Sequence, residues 1–212
     1  YLPALASITR HLLADDGSAW AKVVALYPRS ELLKDQLREV IRRADGLHKA
    51  VGTVSIRIGA LYSDVPLEAR WCDWPRSGRD YLCPTLKCIH CGGTMIWKES
   101  DHAQATERLI CHDCHWTITG DTFPLTRKSL AAAPPDILFT TTKMLNQRLS
   151  DNHLNRLFGI GAHASRPPEL VLLDEVHTYE GRHGAQVAYL LRRWQYLVDQ
   201  PLRFVGLSAT LR

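Results

Sequence analysis

The pattern of apolar and polar positions along the chain predicts strands that alternate with helices. Short apolar runs at residues 22–27, 136–141, 170–173 and 204–205, and an apolar/polar alternation at 54–61, are typical of strands. Between them, apolar residues recur every three or four positions, which predicts amphipathic helices. These apolar positions are Leu2, Leu5, Ile8 and Leu12 in the first helix, Leu33, Leu37, Val40 and Ile41 in the second, and Val187, Leu190, Leu191 and Trp194 in the last. Repeated strand-then-helix order predicts an α/β fold, a three-layer sandwich with a mainly parallel sheet and right-handed crossovers.

The composition is that of a water-soluble globular protein. The 212 residues are 45% hydrophobic and 23% charged, with a formal net charge of +4. This charge permits nucleic-acid binding without arguing for it. No apolar run approaches membrane-spanning length and no signal peptide opens the chain, so we expect a cytoplasmic protein without a membrane partner.

Two adjacent carboxylates follow one of the apolar runs. Leu170 to Leu173 ends in Asp174 and Glu175, which places both acids at the carboxyl end of a buried strand. Ligands of open parallel sheets bind beyond these strand ends. Such a pair suits Mg²⁺-nucleotide chemistry, in which one acid holds the metal and the other orients water.

All six cysteines lie in residues 71–133, which predicts an inserted metal subdomain. Cys88-Ile-His-Cys91 and Cys111-His-Asp-Cys114 are two C-x-x-C knuckles, with strands expected at 95–97 and 108–110 between them. Four thiolates close a tetrahedral structural zinc site and leave no open position for catalysis. The sequence thus predicts a zinc ribbon at 71–133 within a main domain formed by 1–70 and 134–212. Cys72 and Cys83 are expected to be buried free thiols, and His90, His112 and His115 to face solvent.

The region around the acids resembles a known enzyme family. Asp174-Glu175-Val176-His177, followed by Gly206-Leu-Ser208-Ala-Thr210, resembles motifs II and III of superfamily 2 helicases of the DExH type. The longer pattern Asp-Glu-Val-His-Thr-Tyr-x-Gly-x-x-Gly, with Leu-Leu-Arg-Arg behind it, is similar to the mitomycin-repair helicases and the helicase of the DISARM anti-phage system. The resemblance implies the first RecA-like lobe of a P-loop NTPase-type motor. In it Asp174 would bind Mg²⁺ and Glu175 would activate water, while His177, Ser208 and Thr210 would couple hydrolysis to movement.

Two further segments resemble the nucleic-acid-contacting motifs of the same family. Pro28-Arg29 and the helix carrying Asp35-Gln36 are similar to motif Ia, although Arg29 stands where Thr is usual. Residues 136–145, with Thr140-Thr141-Thr142, are similar to motif Ib. The resemblance places Pro28, Arg29, Thr140 and Thr141 near the nucleic-acid track; alternatively, or in addition, the threonines cap the next helix.

The role of the ribbon remains open at this point. Zinc could serve only to fold the insertion, or the ribbon could contact a protein partner or nucleic acid. Its candidate phosphate contacts are Lys87, Lys98, Arg108, Arg127 and Lys128.

The phosphate-binding motif of the family is not found in the sequence. No G-x-x-x-x-G-K-[ST] occurs, and the resemblance places this P-loop immediately before Tyr1 and the second RecA-like lobe after Arg212. We therefore expect part of an ATP-dependent DNA helicase or translocase, with DNA and the second lobe as partners. The resemblance implies a role in DNA repair or in anti-phage defence. The alternative is a catalytically silent RecA-like scaffold that carries a zinc-dependent module for binding nucleic acid or protein.

Overall fold

The computed structural model describes residues 1–14, 19–151, 153–161, 166–198 and 200–208. The helices are α1 (Leu2–Ala14), α2 (Ser30–Val51), α3 (Glu99–Ala103), α4 (Arg127–Ala132), α5 (Thr142–Arg148) and α6 (Gly181–Leu197). The strands are β1 (Val23–Tyr27), β2 (Ile58–Leu61), β3 (Arg76–Ser77), β4 (Asp80–Lys87), β5 (Thr94–Trp97), β6 (Arg108–Cys111), β7 (Thr117–Thr119), β8 (Ile137–Thr141), β9 (Leu170–Leu173) and β10 (Arg203–Gly206). None of these helices is long and apolar enough to cross a bilayer.

The main sheet is parallel, as the strand-then-helix order predicts. Its strands follow the order β10-β9-β1-β8-β2, and all four pairings are parallel. Every residue of β1, β8 and β2 is buried, which explains why these strands are almost continuously apolar. The four residues of β10, at one edge, are exposed.

Helices cover both faces of this sheet. The chain moves along the sheet in one direction from β1 to β2, and in the opposite direction from β8 through β9 to β10. Right-handed crossovers therefore place α2 on one face and α5 and α6 on the other. The three-layer α/β arrangement that the sequence predicts is confirmed, and it brings the carboxyl ends of all five strands to one edge.

A second, antiparallel sheet interrupts the chain between β2 and β8. Its strands follow chain order from β3 to β7. This sheet is not a detached unit, because its buried residues Tyr81, Leu86 and Trp97 belong to the same apolar cluster as the main sheet. Polar contacts join the two parts as well: Arg38 of α2 donates to the Cys88 carbonyl oxygen at 2.9 Å, and the Tyr62 hydroxyl donates to Thr85.

Local boundaries differ from the sequence pattern at several points. Residues 54–57 keep alternating burial but lie outside the strand, and β2 begins only at Ile58. Helix α2 continues ten residues beyond Ile41, to Val51, and ends where Gly52 adopts a left-handed φ of 76°. Strands β4 and β7 and helix α3, which belong to the insertion, were not predicted.

Candidate functional site

The acidic pair lies at the carboxyl edge of the main sheet, directly after β9. The Asp174 amide donates to the Leu26 carbonyl oxygen of β1 at 3.0 Å, so Asp174 still follows the parallel ladder. Glu175 then leaves the strand with a φ of 51° and a ψ of 45°, a left-handed conformation unusual for a side chain larger than glycine. This sharp turn directs the two carboxylates differently although they are adjacent in sequence.

The two acids have different electrostatic surroundings. Burial raises the pKa of the Asp174 carboxyl, the Glu175 amide opposes this shift, and the negative charge of Glu175 raises the pKa further. Glu175 has a hydrogen-bonding partner, since its Oε2 lies 3.1 Å from Nδ1 of His177. Asp174 forms no ion pair with any residue that the structure describes. Its unbalanced charge fits a role as ligand of a cation.

His177 connects the acidic pair to the segment after β10. Its Nδ1 lies 3.0 Å from Oγ of Ser208 as well as 3.1 Å from Glu175. The backbones meet at the same place, because the Val176 amide donates to the Leu207 carbonyl oxygen at 3.0 Å. The structure therefore brings together the predicted residues Asp174, Glu175, His177 and Ser208. Thr210 lies outside the described residues.

Two glycines make this close packing possible. A Cβ on Gly206 would lie 2.9 Å from Val176 Cγ1, so only glycine lets β10 approach the turn after Glu175. A Cβ on Gly184 would lie 2.3 Å from the Tyr179 carbonyl oxygen, and Gly181 has a φ of 53°. The glycines of the Tyr-x-Gly-x-x-Gly pattern thus let the first turn of α6 pack closely against the Tyr179 backbone.

Three tyrosines surround Asp174, and sequence reasoning missed all of them as site residues. Tyr1 and Tyr27 hydrogen-bond to each other through their hydroxyls, and burial raises the pKa of both phenols, that of Tyr1 to about 12. Burial also raises the pKa of Tyr179 to about 12, and its buried hydroxyl has no hydrogen-bond partner among the described residues. The charge of Asp174 contributes to each shift. Nothing in the local sequence around Tyr1 or Tyr27 signals this proximity.

The predicted nucleic-acid residues border a groove on the same edge of the sheet. Pro28, Arg29, Ser63, Thr141 and Lys143 line a cleft of about 340 Å³. The exposed Arg29 side chain makes no capping hydrogen bond to α2, so its guanidinium is available to a ligand. The groove also brings together the segments that resemble motifs Ia and Ib.

The two threonines at the end of β8 behave differently from each other. Thr141 caps α5 by accepting the Met144 amide at 3.2 Å, which confirms the capping alternative for this residue. Thr140 is fully buried and donates to the Leu61 carbonyl oxygen of β2 at 2.7 Å. The Thr140 hydroxyl thus satisfies a backbone carbonyl inside the sheet, and the place of Thr140 near a nucleic-acid track stays a prediction.

The four knuckle cysteines form one compact cluster. The Sγ atoms of Cys88, Cys91, Cys111 and Cys114 all lie within 4.8 Å of one another. Two of the distances, from Cys88 to Cys114 and from Cys91 to Cys111, are 3.4 Å. Sulfurs around a tetrahedral ion bound at 2.3 Å would be ~3.8 Å apart, so this cluster fits a four-thiolate metal site.

Both knuckles fold in the same way. In each, the residue after the second cysteine adopts a left-handed conformation, with a φ of 79° at Gly92 and 60° at His115. The amides of these residues donate to the carbonyl oxygens of Cys88 and Cys111. Burial raises the pKa of the Cys111 thiol, but the Cys114 and Asp113 amides and the neighbouring thiols outweigh it and lower the pKa to about 7. The same thiol contacts raise the pKa of the Cys91 and Cys114 thiols, so the four sulfurs interact as one group.

The other cysteines and the histidines of the insertion lie outside this cluster. Cys83 is buried, as predicted, and burial raises the pKa of its thiol. Cys72 is only half-buried, contrary to the prediction, because it packs at the margin of the shared apolar cluster. The expected solvent-facing histidines are confirmed as exposed; they are His90, His112 and His115.

Most of the predicted basic contacts of the ribbon already have partners within the chain. Arg108 forms a two-pronged ion pair with Asp101, at 2.8 and 2.9 Å. Lys128 lies 3.3 Å from Glu68, and Arg127 donates to the Ser63 carbonyl oxygen. Lys87 donates to the Thr94 hydroxyl at 3.2 Å. These engaged cations offer less to a phosphate than Arg29, which is exposed and has no side-chain hydrogen bond to the described part of the chain.

Comparisons with curated proteins find helicases. The Lhr helicase/probable uracil glycosylase of Mycolicibacterium smegmatis is 36% identical over 95 residues, which are 44% of this chain and 6% of that protein. The ATP-dependent helicase hrq1 of Schizosaccharomyces pombe is 35% identical over 99 residues, 45% of this chain and 9% of that protein. The chain thus spans only a small part of the length of these relatives.

Solved structures with the same fold are also helicases. The Mycobacterium smegmatis helicase Lhr bound to ssDNA and AMP-PNP superposes with a TM-score of 0.55 at 22% identity, over 95% of this chain and 19% of that one. The DUF1998 helicase MrfA superposes with a TM-score of 0.53 at 17% identity, over all of this chain and 22% of that one. The expected RecA-like fold is confirmed. The family model described as DEAD/DEAH box helicase matches residues 99–212, more than half of the sequence, and the chain belongs to this family.

Proposed function

We propose that this chain is the larger part of the first RecA-like lobe of an ATP-dependent DNA helicase or translocase. The contact of His177 with both Glu175 and Ser208 is the observation that carries the proposal. Through His177, Glu175, the acid suited to activating water, is connected to the segment after β10. A shift of the Glu175 side chain is therefore transmitted to a second strand. A scaffold used only for binding has no need of this arrangement.

The acidic pair fits Mg²⁺ and ATP. Asp174 presents a carboxylate that forms no ion pair with the described residues, and Glu175 leaves the strand through a left-handed backbone conformation. Asp174 would hold the magnesium ion, which neutralises phosphate charge when bound. Glu175 would orient the attacking water and accept its proton, while His177 holds the Glu175 carboxylate in position. The P-loop would come from another part of the parent protein.

The groove beside this site suits a nucleic-acid backbone. Arg29 and Lys143 supply positive charge, and Ser63 supplies a hydroxyl, on the same edge of the sheet as the acids. Phosphate contacts of this kind position a strand without reading its sequence. Single-stranded DNA is the proposed ligand, as in the Lhr structure and as the similarity to mitomycin-repair and DISARM helicases implies. A second RecA-like lobe would close over this edge.

We assign zinc to the four-cysteine cluster. Closed thiolate sites with this geometry are structural, and a reduced cytoplasmic setting keeps their thiols available. The insertion at 71–133 is proposed to act mainly in holding α2, through the Arg38 contact with Cys88. The proposal also includes a protein partner that binds to the ribbon, which binding experiments would test.

Glu175→Gln in the full-length protein tests the catalytic assignment. The amide keeps the shape of the side chain but cannot accept a proton, so DNA-stimulated ATP hydrolysis should fall by about 100-fold or more while ATP binding is retained. The measurements are steady-state phosphate release and binding of a fluorescent ATP analogue. Glu180→Gln is the matched control, since it changes a nearby exposed glutamate outside the site. Turnover equal to that of the wild type would favour the zinc-dependent binding module instead.

A further inference from the structure

The exposed face of α6 has an unusual composition for a surface helix. The seventeen residues of α6 include three arginines and a histidine, and no acid. The apolar face, with Val187, Leu190 and Trp194, is buried against the domain. The opposite face carries two large aromatic side chains, because Tyr189 is 73% and Tyr196 is 90% exposed.

The arginines and tyrosines of this face alternate along one stripe. Positions 182, 189 and 196 are seven residues apart and therefore lie almost in line on an α-helix, with 192 and 193 on either side of that line. The stripe extends over about 21 Å at 1.5 Å per residue. Arg182 and Arg192 form no hydrogen bond or ion pair with any residue that the structure describes. Exposed guanidinium groups between exposed tyrosine rings favour an anionic ligand that also carries planar rings able to stack.

This stripe borders a cleft that continues the proposed DNA groove. A cleft of about 650 Å³ lies between α5 and α6 and is lined by Lys143, His183, Gln186, Tyr189 and Arg193. Lys143 also lines the groove that contains Arg29 and Thr141. The two clefts therefore meet at one exposed lysine. Arg193 is held at the floor of the α5–α6 cleft by Ser150 and Asn146, at 2.5 and 3.4 Å.

We propose that the α6 stripe (Arg182, Tyr189, Arg192 and Tyr196) with the adjoining cleft is a second stretch of the single-stranded DNA path. It rests on the proposed function, since it extends the groove at Arg29. Bases stack on Tyr189 and Tyr196, and the arginines contact the phosphates between them. Exposed tyrosine rings are suited to this because every base has a stacking face, whatever the sequence. A protein surface would complement the positive charge only by being acidic, and would leave the regular ring spacing unexplained.

The test is single-stranded DNA binding by the full-length protein, measured by fluorescence anisotropy with oligothymidines of increasing length. Tyr189→Ala/Tyr196→Ala should weaken binding of long oligonucleotides by about tenfold or more, because each stacked base contributes strongly. Binding of the shortest oligonucleotides, which occupy only the Arg29 groove, should be unchanged. Tyr189→Phe/Tyr196→Phe keeps both rings and should bind as the wild type does.

The arginines are tested through salt dependence. Arg182→Ala/Arg192→Ala should lower the slope of log affinity against log salt by roughly 1.4, at ~0.7 for each phosphate contact of a single strand. Arg42→Ala/Arg43→Ala on α2 removes the same charge from residues that are paired with Glu39, and should leave the slope unchanged.

The possible outcomes separate this inference from the function on which it rests. A wild-type protein that binds no single-stranded DNA of any length would overturn the proposed function. A wild-type protein that binds long oligonucleotides no more tightly than the alanine variant does would overturn only the α6 path, and would assign this face to a protein partner. Loss of short-oligonucleotide binding in the alanine variant would also overturn it.

Discussion

Asp174, the proposed magnesium ligand, is unfavourable for the fold when it is ionised. Its carboxylate is partly buried next to a second acid, and both effects raise its pKa above the ordinary aspartate value of about 3.9. A carboxyl whose folded pKa is raised destabilises the fold wherever it is ionised. This penalty is absent below about pH 4, where the group is protonated in both states, and is complete once the pH exceeds the folded pKa.

Asp174→Asn is therefore expected to raise the melting temperature of the metal-free protein at neutral pH. The amide removes both the desolvation of a charge and the repulsion from Glu175. The measurement is differential scanning calorimetry without nucleotide or Mg²⁺, with the difference between variant and wild type shrinking as the pH is lowered toward 4. A variant that melts below the wild type at pH 7 would contradict this account. Asp35→Asn is a control at an exposed acid on α2, away from the acidic pair.

Among the elements, the two knuckles depend on each other for stability. Each C-x-x-C turn places its own two sulfurs, but the cluster exists only because β5 and β6 pair and bring the turns together. The insertion also shares its apolar cluster with the main sheet, and Arg38 joins α2 to the first knuckle. Loss of the metal should therefore affect more than the insertion.

Cys88→Ser is expected to abolish zinc binding and to lower the melting temperature of the whole chain. A hydroxyl is a poor ligand in a closed thiolate site, whose metal affinity contributes directly to folding. Elemental analysis should find one zinc per chain in the wild type and none in the variant. Cys72→Ser is the matched control, since Cys72 is half-buried and lies outside the cluster. Full zinc occupancy in Cys88→Ser would remove the ribbon assignment.

At the scale of the whole molecule, the proposed nucleotide site needs a phosphate-binding loop in addition to the two acids. The sequence holds the acids but no P-loop, whose amides and lysine supply most phosphate contacts. The edge strand β10 also exposes Phe204 and Val205, which are 38% and 43% exposed, so a further element is expected to pack there.

Isothermal titration of the 212-residue chain with Mg-ATP is accordingly expected to show no tight binding. Acids alone bind the metal weakly when the phosphates have no cradle. The full-length protein, titrated in parallel, provides the positive control. Micromolar affinity in the isolated chain would mean that its own residues form the phosphate site, and would contradict the placement of the P-loop outside them.

The sequence by itself determined the features that depend on neighbouring residues. These features are all local, and the structure contains each of them. They are the apolar patterns of β1, α2, β9 and α6, the two acids at the end of β9, and the spacing of the cysteine knuckles. Helix length and strand bounds were less certain, because both depend on partners: residues 54–57 alternate in burial and yet lie outside β2. The same locality explains why the sequence did not show the hydrogen bond of the Thr140 hydroxyl, since its acceptor, Leu61, lies 79 positions away.

Only the tertiary structure decided which distant residues meet. Three sets of contacts join segments whose own sequences give no sign of each other. They are the tyrosines near Asp174, the buried ion pair of Lys22 with Asp136 across 114 positions, and the hydrogen bond from Arg38 to Cys88. The meeting of the two clefts at Lys143 likewise follows from the packing of α5 beside α6. Sequence periodicity reports which face of an element is buried, whereas the order of strands in the sheet decides what that face contacts.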